Sequence, residues 1–403
     1  MVFNSSDSRP VVVIYKDKLL PRSQTFVRAQ AEALKQYVPF YAGSRTLPKG
    51  LYLPEGRRAV VNEGGWLGKV QEMAYLLWGW SPKLMRAMRQ ARPVLMHCHF
   101  GVDGISAMRL ARKLRIPFLV TFHGYDATIT PELAVGWRHR EYVQQRRALA
   151  GQAKMFVAVS NHIKDRLVDQ GFPAEKVIVH YIGIDTEFFR ANPELSREPV
   201  VLFVGRLVEK KGCEYLIRAM ARVQSSYPAA RLVIIGEGPL RADLEQLARE
   251  HCSSTIFLGE RPPTEVREWM NRASVFCVPS VTARNGDQEG FGLVFTEAQA
   301  MGLPVVSFIS GGVPEAVANG LTGFLVPERD EQGLASNITF LLSDSQMWNQ
   351  VSAEGIRRVR SQFNLRTQTV LLEKIYASII SAASGHMAEQ VAGMQTTSRV
   401  AVL

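Results

Sequence analysis

"SVFCVPSVTARNGDQEGFGLVFTEAQAMGLPVVSF" (residues 274–308) has the pattern of one strand–loop–helix–strand unit. The apolar runs SVFCVPS (274–280) and PVVSF (304–308) are bounded by turn residues, which predicts buried parallel strands. Between them the Gly-Phe-Gly step at 290–292 predicts a turn, and the small-residue stretch from Leu293 to Met301 predicts a helix. Because parallel strands need a crossover connection, the unit predicts an α/β fold.

The same alternation extends along most of the chain and restarts once. Before the break, strand-like apolar runs stand at residues 11–15, 94–100, 117–124, 154–160 and 176–183. After it, they stand at residues 199–207, 230–238, 255–260, 274–280, 304–308 and 323–327. The break is the polar, proline-containing stretch RANPELSREP (190–199). The pattern therefore predicts two doubly wound, Rossmann-like domains, residues 1–192 and 198–362, that face each other across a cleft.

The end of the chain carries one more helical pattern. SQFNLRTQTVLLEKIYASIISAAS (361–384) predicts a C-terminal helix, and we expect residues 363–384 to pack back on the first domain. The tail from residue 385 to residue 403 is polar and aperiodic, which predicts disorder.

The composition indicates a cytoplasmic globular protein. Of the 403 residues, 46% are hydrophobic and 21% are charged, and no apolar run approaches the ~20 residues that span a bilayer. The first ten residues lack the apolar core of a secretory signal, so we do not expect export. Cys98, Cys213, Cys252 and Cys277 form no CxxC pair, which predicts reduced thiols and no zinc site.

The positive charge is concentrated in the first half of the chain. Residues 1–196 hold 28 Lys+Arg and 16 Asp+Glu, a net of +12, and the remainder holds 48 − 28 = 20 basic and 37 − 16 = 21 acidic residues, a net of −1. This asymmetry indicates an anionic partner, such as nucleic acid, a membrane surface or a phosphorylated lipid. A merely solubilising surface is the alternative interpretation.

Two glutamates, Glu289 and Glu297, flank the glycine turn in the opening stretch. Glu289 lies in the loop at the carboxyl end of a predicted strand, where ligands bind in open α/β sheets. Glu297 lies one to two turns into the predicted helix, where its carboxylate could reach a diol such as a ribose or simply be solvated. The amides at the helix start suit anionic oxygens.

Other strand ends carry cations and a histidine. VGRLVEKKG (204–212) places Arg206 and Lys211 just after a predicted strand, which suits a diphosphate. TFHGYD (121–126) places His123 at a strand end of the first domain, and GGVPE (311–315) offers another backbone-rich turn. The Gly-Glu-Gly step at 236–238 is only a fragment of a dinucleotide fingerprint.

Together these motifs resemble the family-4 retaining glycosyltransferases of the GT-B fold, also called glycosyltransferase group 1. The resemblance covers nearly the whole chain and is strongest in the second half. It is carried, in order, by Gly205-Arg206-Leu207, Lys211-Gly212, Gly236-Glu237-Gly238-Pro239, the Glu289/Glu297 pair, Gly302-Leu303-Pro304-Val305-Val306 and Gly320-Leu321-Thr322-Gly323-Phe324-Leu325-Val326.

The resemblance implies a role for each matching position. Arg206 and Lys211 would bind the donor's diphosphate and offset its charge as it leaves. Glu297 would accept hydrogen bonds from the ribose, Glu289 would hold hydroxyls of the donor sugar, and His123 would line that sugar from the opposite domain. Arg206, Lys211, Glu289 and His123 are thus the expected catalytic residues. Further donor-binding positions are Gly205, Gly290, Phe291, Gly292, Leu293 and, at the start of the base-binding loop, Glu260 and Arg261.

The implied reaction is substitution at an anomeric carbon with retention of configuration, from a UDP- or GDP-linked sugar. Fixed cations and amide dipoles can stabilise the departing diphosphate. No DxD-type pair stands at a suitable strand end, so we expect no metal and no other cofactor. Glycosidases use two carboxylates differently, and we do not assign Glu289 as a nucleophile.

The first strand–helix loop departs from the glycine pair common in the family. It is KDKLLPRSQTFVRAQ (16–30), which resembles the Ser-x-Thr-Phe version of exopolysaccharide- and lipopolysaccharide-assembly members and offers Ser23 and Thr25 as acceptor contacts. Acceptors in the family bind the basic first domain, so we expect a lipid-linked, polyprenyl-diphosphate type of glycan acceptor.

The segment near residues 66–92 indicates that the protein would bind such an acceptor at a membrane surface. Trp66, Trp78 and Trp80 precede a run of cations, a combination typical of peripheral segments on the inner face of a membrane. The alternative is that these aromatics pack in the core of the first domain.

Three rival functions remain open from the sequence. A nucleotide-sugar epimerase or a phosphorylase could use the same fold. A nucleic-acid-binding protein would fit the isoelectric point near 9.6 but leaves the motifs of the neutral half unexplained, so we expect no nucleic acid partner. A nicotinamide-dependent oxidoreductase is disfavoured by the incomplete glycine fingerprint.

Overall fold

The computed structural model describes residues 8–48, 50–128, 136–192 and 194–400, without the side chains of Arg22 and of residues 386–400. Within these ranges the chain forms two α/β domains, each built on one parallel sheet. The predicted fold class, two Rossmann-like domains, is therefore confirmed.

The first domain has a sheet of seven strands in the order β3-β2-β1-β4-β5-β6-β7. Its strands are β1 (Val11–Tyr15), β2 (Val38–Arg45), β3 (Arg58–Asn62), β4 (Leu95–His99), β5 (Phe118–Phe122), β6 (Met155–Ala158) and β7 (Val177–Val179). Its described helices are α1 (Thr25–Glu32), α2 (Gly65–Trp78), α3 (Pro82–Ala91), α4 (Gly101–Leu114), α5 (Tyr125–Thr128), α6 (Trp137–Gln152) and α7 (Asn161–Asp169). Every residue of β1, β4 and β5 is buried because helices cover both faces of the sheet.

The second domain has a sheet of six strands in the order β10-β9-β8-β11-β12-β13. Its strands are β8 (Val200–Val204), β9 (Arg231–Ile235), β10 (Ile256–Gly259), β11 (Val275–Cys277), β12 (Val305–Phe308) and β13 (Gly323–Val326). The helices are α8 (Cys213–Ser226), α9 (Arg241–His251), α10 (Pro263–Arg272), α11 (Leu293–Ala300), α12 (Val313–Ala316), α13 (Glu331–Ser343), α14 (Ser345–Gln362) and α15 (Leu365–Val400).

The opening stretch folds almost as its pattern predicts. β11 pairs with β12 in parallel, and α11 is the crossover between them. β11 ends at Cys277, earlier than the apolar run, because Pro279 has no amide hydrogen to donate to a strand ladder. The strands β2 and β3 were not predicted from the sequence.

Each sheet reverses its strand order at one point, and these points locate the cleft. β1 pairs with both β2 and β4 in the first domain, and β8 pairs with both β9 and β11 in the second. Crevices at such switch points, beyond the carboxyl ends of the strands, are where open α/β sheets bind ligands.

The C-terminal helix α15 starts beside the second domain and contacts the first. The carboxylate of Glu373 accepts hydrogen bonds from the backbone amides of Lys35 (2.7 Å) and Gln36 (2.6 Å). The hydroxyl of Tyr376 lies 2.6 Å from Nδ1 of His97, on β4. The helix extends to Val400, where the sequence predicts a disordered tail, and the side chains after residue 385 lie outside the described residues.

None of the described helices combines the length and apolar character that a bilayer span requires.

Candidate functional site

Two loops of the second domain meet at two adjacent, buried ion pairs. Nζ of Lys211, in the loop after β8, contacts Oε2 of Glu289, in the loop after β11, and each of these side chains is only 12% exposed. Next to it, Nζ of Lys210 donates to Oδ1 of Asp287 at 2.9 Å. Sequence reasoning singled out Lys211 and Glu289 but missed the neighbouring Lys210–Asp287 pair.

The charge of Glu289 is fixed by the cations around it. Burial alone would raise the pKa of this carboxyl, but Lys211, Lys210 and Arg206 outweigh burial and lower the pKa to about 2. Glu289 is therefore ionised at neutral pH. Because Arg206 contributes to this shift, its guanidinium lies close to the same crevice.

Arg206 differs from Lys210 and Lys211 in having no hydrogen-bond or ion-pair partner among the residues that the structure describes. Its side chain is exposed, and within the described ranges no hydrogen bond or ion pair engages its guanidinium. An unpaired guanidinium beside a strand end is available to a bidentate anion such as a phosphate. The structure thus brings Arg206, Lys211 and Glu289 together.

Glu297 lies on α11, one turn beyond Leu293, and its half-buried carboxylate has no hydrogen-bond or ion-pair partner in the described part of the chain. Burial raises the pKa of Glu297 to about 7. A carboxylate removed from water without a partner is costly, so this group is suited to accept hydrogen bonds from the hydroxyls of a ligand.

The turn between the two glutamates is shaped by its glycines. Gly292 has φ +87° and caps the start of α11, a conformation that residues with a side chain rarely adopt. Phe291 is buried against the rings of Tyr181 (5.4 Å) and Phe363 (5.2 Å). With Phe291 anchored, the amides at the start of α11, from Leu293 onward, are held at the edge of the crevice.

The two domains touch directly beside this turn. A Cβ atom on Gly290 would stand 2.2 Å from the carbonyl oxygen of His123, and one on Gly124 would stand 3.3 Å from the nitrogen of Gly290. Oγ of Ser160, in the first domain, donates a hydrogen bond of 2.6 Å to the carbonyl of Gly290. The backbone after β5 is therefore packed against the Glu289 loop.

The side chain of His123 is held within the first domain. Its Nε2 lies 3.0 Å from Nδ1 of His99, and its ring packs near Phe100 and Phe26 at 4.5 Å and 5.1 Å. Its Nδ1 is buried and has no hydrogen-bond partner among the described residues. Burial lowers the pKa of His123, so its imidazole is neutral near pH 7.

Glu315, the last residue of the GGVPE turn, links the domains in a way the sequence did not reveal. Its carboxylate accepts hydrogen bonds from the backbone amides of Asn161 (2.8 Å) and His162 (3.0 Å), at the start of α7. It also accepts from the hydroxyl of Tyr181 at 3.0 Å. A carboxylate at a helix N-terminus is favoured by the helix dipole, so this contact stabilises the packing of the two domains against each other.

Of the remaining donor-site residues, Gly205 is near the ion pair and two others are not. Gly205 follows β8, donates its amide to the carbonyl of Ile235 at 3.0 Å, and a Cβ atom on it would stand 3.7 Å from Cδ of Lys211. Glu260 and Arg261 follow β10, two strands along the sheet from β8, and both are exposed. Arg261 pairs with Glu265 at 3.6 Å, and no described contact joins it to the Lys211–Glu289 pair.

A cavity of about 680 Å³ lies in the first domain between the β1–α1 loop and helices α2, α4 and α6, and we call it the first-domain cavity. Among the described residues, its walls carry four ion pairs: Lys16–Asp103, Arg138–Asp17, Arg138–Asp103 and Arg45–Glu72. Ser23 and Thr25 are both exposed, and neither lines the cavity, although Gln24 between them does.

The outer side of α2 is apolar and exposed. Trp66, Val70, Met73 and Leu77 recur at helical spacing and are half or more exposed, while the opposite side of the helix, with Tyr75, is buried. We call Trp66, Leu67, Val70, Met73, Leu77 and Trp78 the α2 apolar face. Trp80, just after the helix, is 54% exposed as well. The structure therefore excludes the alternative in which these tryptophans fill the domain core.

Two Rossmann-like domains that close over a cluster of cations and carboxylates define the class: a GT-B protein. The chain also belongs to a named family, the glycosyltransferases of group 1 and family 4. The family description "Glycosyl transferases group 1" matches residues 185–358, and "Glycosyltransferase Family 4" matches residues 24–188.

Comparison with known proteins agrees at the level of sequence and of fold. The chain is 30% identical over 290 residues to WcaL of Escherichia coli, named provisionally as a colanic acid biosynthesis glycosyltransferase, and the match covers 70% of this chain and 69% of WcaL. The chain spans about two thirds of the length of the curated relatives that it matches first.

Solved structures share the fold. Sucrose-phosphate synthase from Thermosynechococcus elongatus superimposes with a TM-score of 0.77 at 21% identity, covering 93% of this chain and 100% of that one. Anabaena Alr3699/HepE in complex with UDP-glucose superimposes with a TM-score of 0.73 at 19% identity, covering 91% of this chain and 99% of that one.

Proposed function

We propose that the protein transfers a sugar from a UDP- or GDP-linked donor, with retention of configuration, to a hydroxyl of a lipid-linked glycan during assembly of a cell-surface polysaccharide. The single observation that carries this proposal is the crevice in which the guanidinium of Arg206, unpaired within the described ranges, lies near the buried Lys211–Glu289 pair. The name of WcaL as a polysaccharide glycosyltransferase and the UDP-glucose bound to HepE support the reaction class and the donor class.

In the proposed complex the donor lies along the second domain. Arg206 and Lys211 bind the diphosphate, the amides at the start of α11 add hydrogen bonds to it, and Glu297 accepts from the ribose hydroxyls. Glu289, which Lys211 holds in its ionised form, accepts hydrogen bonds from hydroxyls of the donor sugar. Glu260 and Arg261 lie at the same edge of the sheet for the base.

The transfer replaces one C–O bond by another. The bond between the anomeric carbon and the diphosphate breaks, the acceptor oxygen bonds to the same face of that carbon, and the acceptor proton passes to the leaving phosphate. Arg206 and Lys211 are aimed at the oxygen where negative charge develops, which lowers the barrier without a metal. His123, neutral and on the opposite domain, lines the sugar.

The acceptor would be met at a membrane. The α2 apolar face exposes two tryptophans, and the exposed cations of neighbouring α3 and α4 include Arg86, Arg89, Arg112 and Lys113. Aromatic residues bordered by cations favour the interface of an anionic membrane, with roughly 1 kcal/mol per well-placed cation. We therefore propose that the protein docks on the inner face of the cell membrane.

A donor assay tests the reaction. The purified protein is incubated in EDTA with UDP-glucose, UDP-galactose, GDP-mannose or GDP-fucose, and release of nucleotide is measured with and without membrane extracts that contain lipid-linked glycans. We expect nucleotide to be released from one class of donor, and the membrane extract to increase the rate of that release. The sugar should then be recovered in the lipid fraction. Release without an acceptor would instead indicate an epimerase, and no release from any donor would count against transfer.

Co-sedimentation with vesicles tests the docking. We expect binding to anionic vesicles at low salt and loss of binding in Trp66→Ser/Trp78→Ser. The control Leu195→Ser, which changes a half-exposed apolar residue of the linker, should still bind. Absence of binding by the unaltered protein would remove the membrane proposal and leave the reaction untouched.

A further inference from the structure

Three histidines stand in a row along one face of the first-domain sheet. His97 and His99 lie two positions apart on β4, so their side chains point to the same face, and their rings stack with centroids 4.2 Å apart. His123 follows β5, the neighbouring strand, and the centroid of its ring lies 5.3 Å from that of His99. The row therefore leads from the middle of β4 to the residue that packs against Gly290.

The inner end of the row is fixed by the C-terminal helix. Nδ1 of His97 lies 2.6 Å from the hydroxyl of Tyr376, on α15, and its Nε2 lies 2.6 Å from Oγ1 of Thr121, on β5. All three residues are buried. Because both ring nitrogens are engaged, His97 cannot turn without losing two hydrogen bonds, and it offers His99 a fixed surface on which to stack.

The outer two histidines share one hydrogen bond. Nδ1 of His99 lies 3.0 Å from Nε2 of His123. Burial lowers the pKa of both imidazoles, so both are neutral near pH 7. A neutral imidazole has one N–H group and one acceptor nitrogen, so the hydrogen bond uses the proton of one ring and the lone pair of the other. The direction of this bond therefore fixes the tautomer of His123.

The free nitrogen of His123 indicates that direction. Its Nδ1 is buried and has no hydrogen-bond partner in the part of the chain that the structure describes. Among backbone groups, unpaired buried N–H groups are rarer than acceptors with an unused lone pair. The same preference places the single proton of His123 on Nε2, where Nδ1 of His99 accepts it, and leaves Nδ1 of His123 as a hydrogen-bond acceptor.

We propose that His99 is a positioning residue for His123. By accepting the Nε2 proton it holds the ring in one tautomer and one orientation, so that Nδ1 of His123 accepts a hydrogen bond from a hydroxyl of the donor sugar. His99 itself is 1% exposed, too deeply buried to contact the sugar. This assignment rests on the proposed glycosyl transfer, in which His123 lines the sugar, and adds the residue that determines what His123 presents to it.

Nitrogen NMR of protein with isotope-labelled histidine reads the tautomer without any turnover. The signals of His123 are assigned by their loss in His123→Asn. In the unaltered protein at neutral pH we expect Nε2 of His123 to be protonated and Nδ1 to be unprotonated. His99→Leu should give a mixture of tautomers, whereas His99→Asn should retain the native one, because its amide oxygen can accept from Nε2. A protonated Nδ1 in the unaltered protein, or a native tautomer in His99→Leu, would overturn the proposal.

A binding measurement tests the contact with the sugar. The probes are UDP and UDP-glucose, and GDP and GDP-mannose. We expect His99→Leu to weaken the preferred nucleotide sugar about fivefold and to leave the matching nucleoside diphosphate unchanged, since the lost hydrogen bond is made to the sugar alone. His99→Asn should bind both as the unaltered protein does. An unchanged ratio of the two Kd values in His99→Leu would overturn the contact with the sugar.

Cys98→Ala is the matched control for damage to β4. Cys98 is buried on the same strand, but its side chain points to the opposite face and belongs to the other core cluster. We expect Cys98→Ala to lower the melting temperature without changing the tautomer of His123 or the ratio of Kd values. The same change of tautomer or ratio in Cys98→Ala as in His99→Leu would show a general effect of strand packing and overturn the specific role of His99.

The two proposals fail in different ways. If the protein transfers no sugar but the tautomer of His123 depends on His99 as expected, glycosyl transfer fails and the positioning of His123 stands. If the protein transfers sugar and His99→Leu changes neither the tautomer nor the ratio of Kd values, transfer stands and the role of His99 is wrong.

Discussion

Gly290 of the second domain lies against the carbonyl of His123 of the first, so closely that a methyl group on Gly290 would stand 2.2 Å from that oxygen. Real atoms do not approach to this distance, and the obstacle is backbone rather than a flexible side chain. The domains can close only because residue 290 has no side chain. This contact lies one residue from Glu289, so the packing of the two domains bears directly on the position of the Glu289 loop.

The substitution Gly290→Ala is therefore expected to hold the domains apart. We expect kcat to fall about a hundredfold, since a displacement near 1 Å of reacting groups has an effect of that size. The KM for the donor should change less than kcat, because all of the proposed donor contacts except that of His123 belong to the second domain. Steady-state kinetics with saturating acceptor measure this.

Gly151→Ala is the control for that experiment, because a methyl group at Gly151, on α6, would meet no atom within 4 Å. Small-angle scattering of Gly290→Ala should show a less compact particle with donor bound. An unimpaired kcat in Gly290→Ala would contradict the view that this closed contact belongs to the active form.

Glu289→Gln separates catalysis from nucleotide binding. Without its carboxylate, Lys211 loses its partner and is free to contact the diphosphate, so we expect the Kd for UDP or GDP to decrease several-fold. The contact with the sugar hydroxyls is weakened, so kcat should fall by about 10²–10³. Isothermal titration calorimetry measures the Kd, and initial rates measure kcat.

A loss of both binding and turnover would instead mean that Glu289 serves mainly to hold the loop. Asp287→Asn tests that reading, because it disrupts the adjacent ion pair with Lys210 at 2.9 Å, which no donor contact is proposed to need. We expect it to lower the thermal stability and to affect kcat less than Glu289→Gln does.

Arg206→Ala should remove charge compensation of the leaving diphosphate. We expect kcat to fall about a hundredfold. Arg206→Lys should recover part of it, because lysine keeps the positive charge but lacks the bidentate hydrogen-bonding geometry of the guanidinium. Because the side chain is exposed and unpaired among the described residues, the free energy of unfolding should change by less than about 0.5 kcal/mol. Arg222→Ala, exposed on α8, is the control, and undiminished turnover in Arg206→Ala would count heavily against the diphosphate assignment.

Most strands, and the positions of the residues that meet at the crevice, could be predicted from the sequence for one physical reason. Parallel strands covered on both faces appear as continuous apolar runs, and ligand groups follow the carboxyl ends of such runs, so chain order alone located Arg206, Lys211 and Glu289. β2 and β3 escaped because Pro39 and Gly43 interrupt the first run and Arg58 opens the second. Neither looks like an uninterrupted buried strand.

The contacts between distant parts of the chain could not be predicted in this way. Lys210 and Asp287 are 77 positions apart, and Glu315 binds the start of α7 from 154 positions away at Asn161. No local spacing marks such a pair, because only the packing of two loops or two domains brings the groups together. The ion pairs of the first-domain cavity escaped for the same reason, with Arg138 and Asp17 separated by 121 positions.

Glu297 gives a prediction about pH whose sign follows from its environment. Burial raises the pKa of this carboxyl from 4.5 to about 7. The folded state is therefore favoured by protonation of Glu297 below pH 4.5, and that contribution is lost as the pH rises through 7. Ribose hydroxyls that donate to the carboxylate stabilise its ionised form, so donor binding lowers the pKa and releases a proton.

We expect the donor Kd to decrease as the pH rises toward 7, by at most about tenfold per pH unit, and to level off above 7. The donor-induced rise in melting temperature should grow over the same window. Glu297→Gln, which cannot titrate, should bind more weakly at pH 8 and show a flatter profile between pH 5.5 and 8. Titrations of UDP and GDP across that range measure both. A donor Kd of the unaltered protein that increases as the pH rises toward 7 would remove Glu297 from the ribose site. So would a pH dependence of Kd that Glu297→Gln reproduces in full.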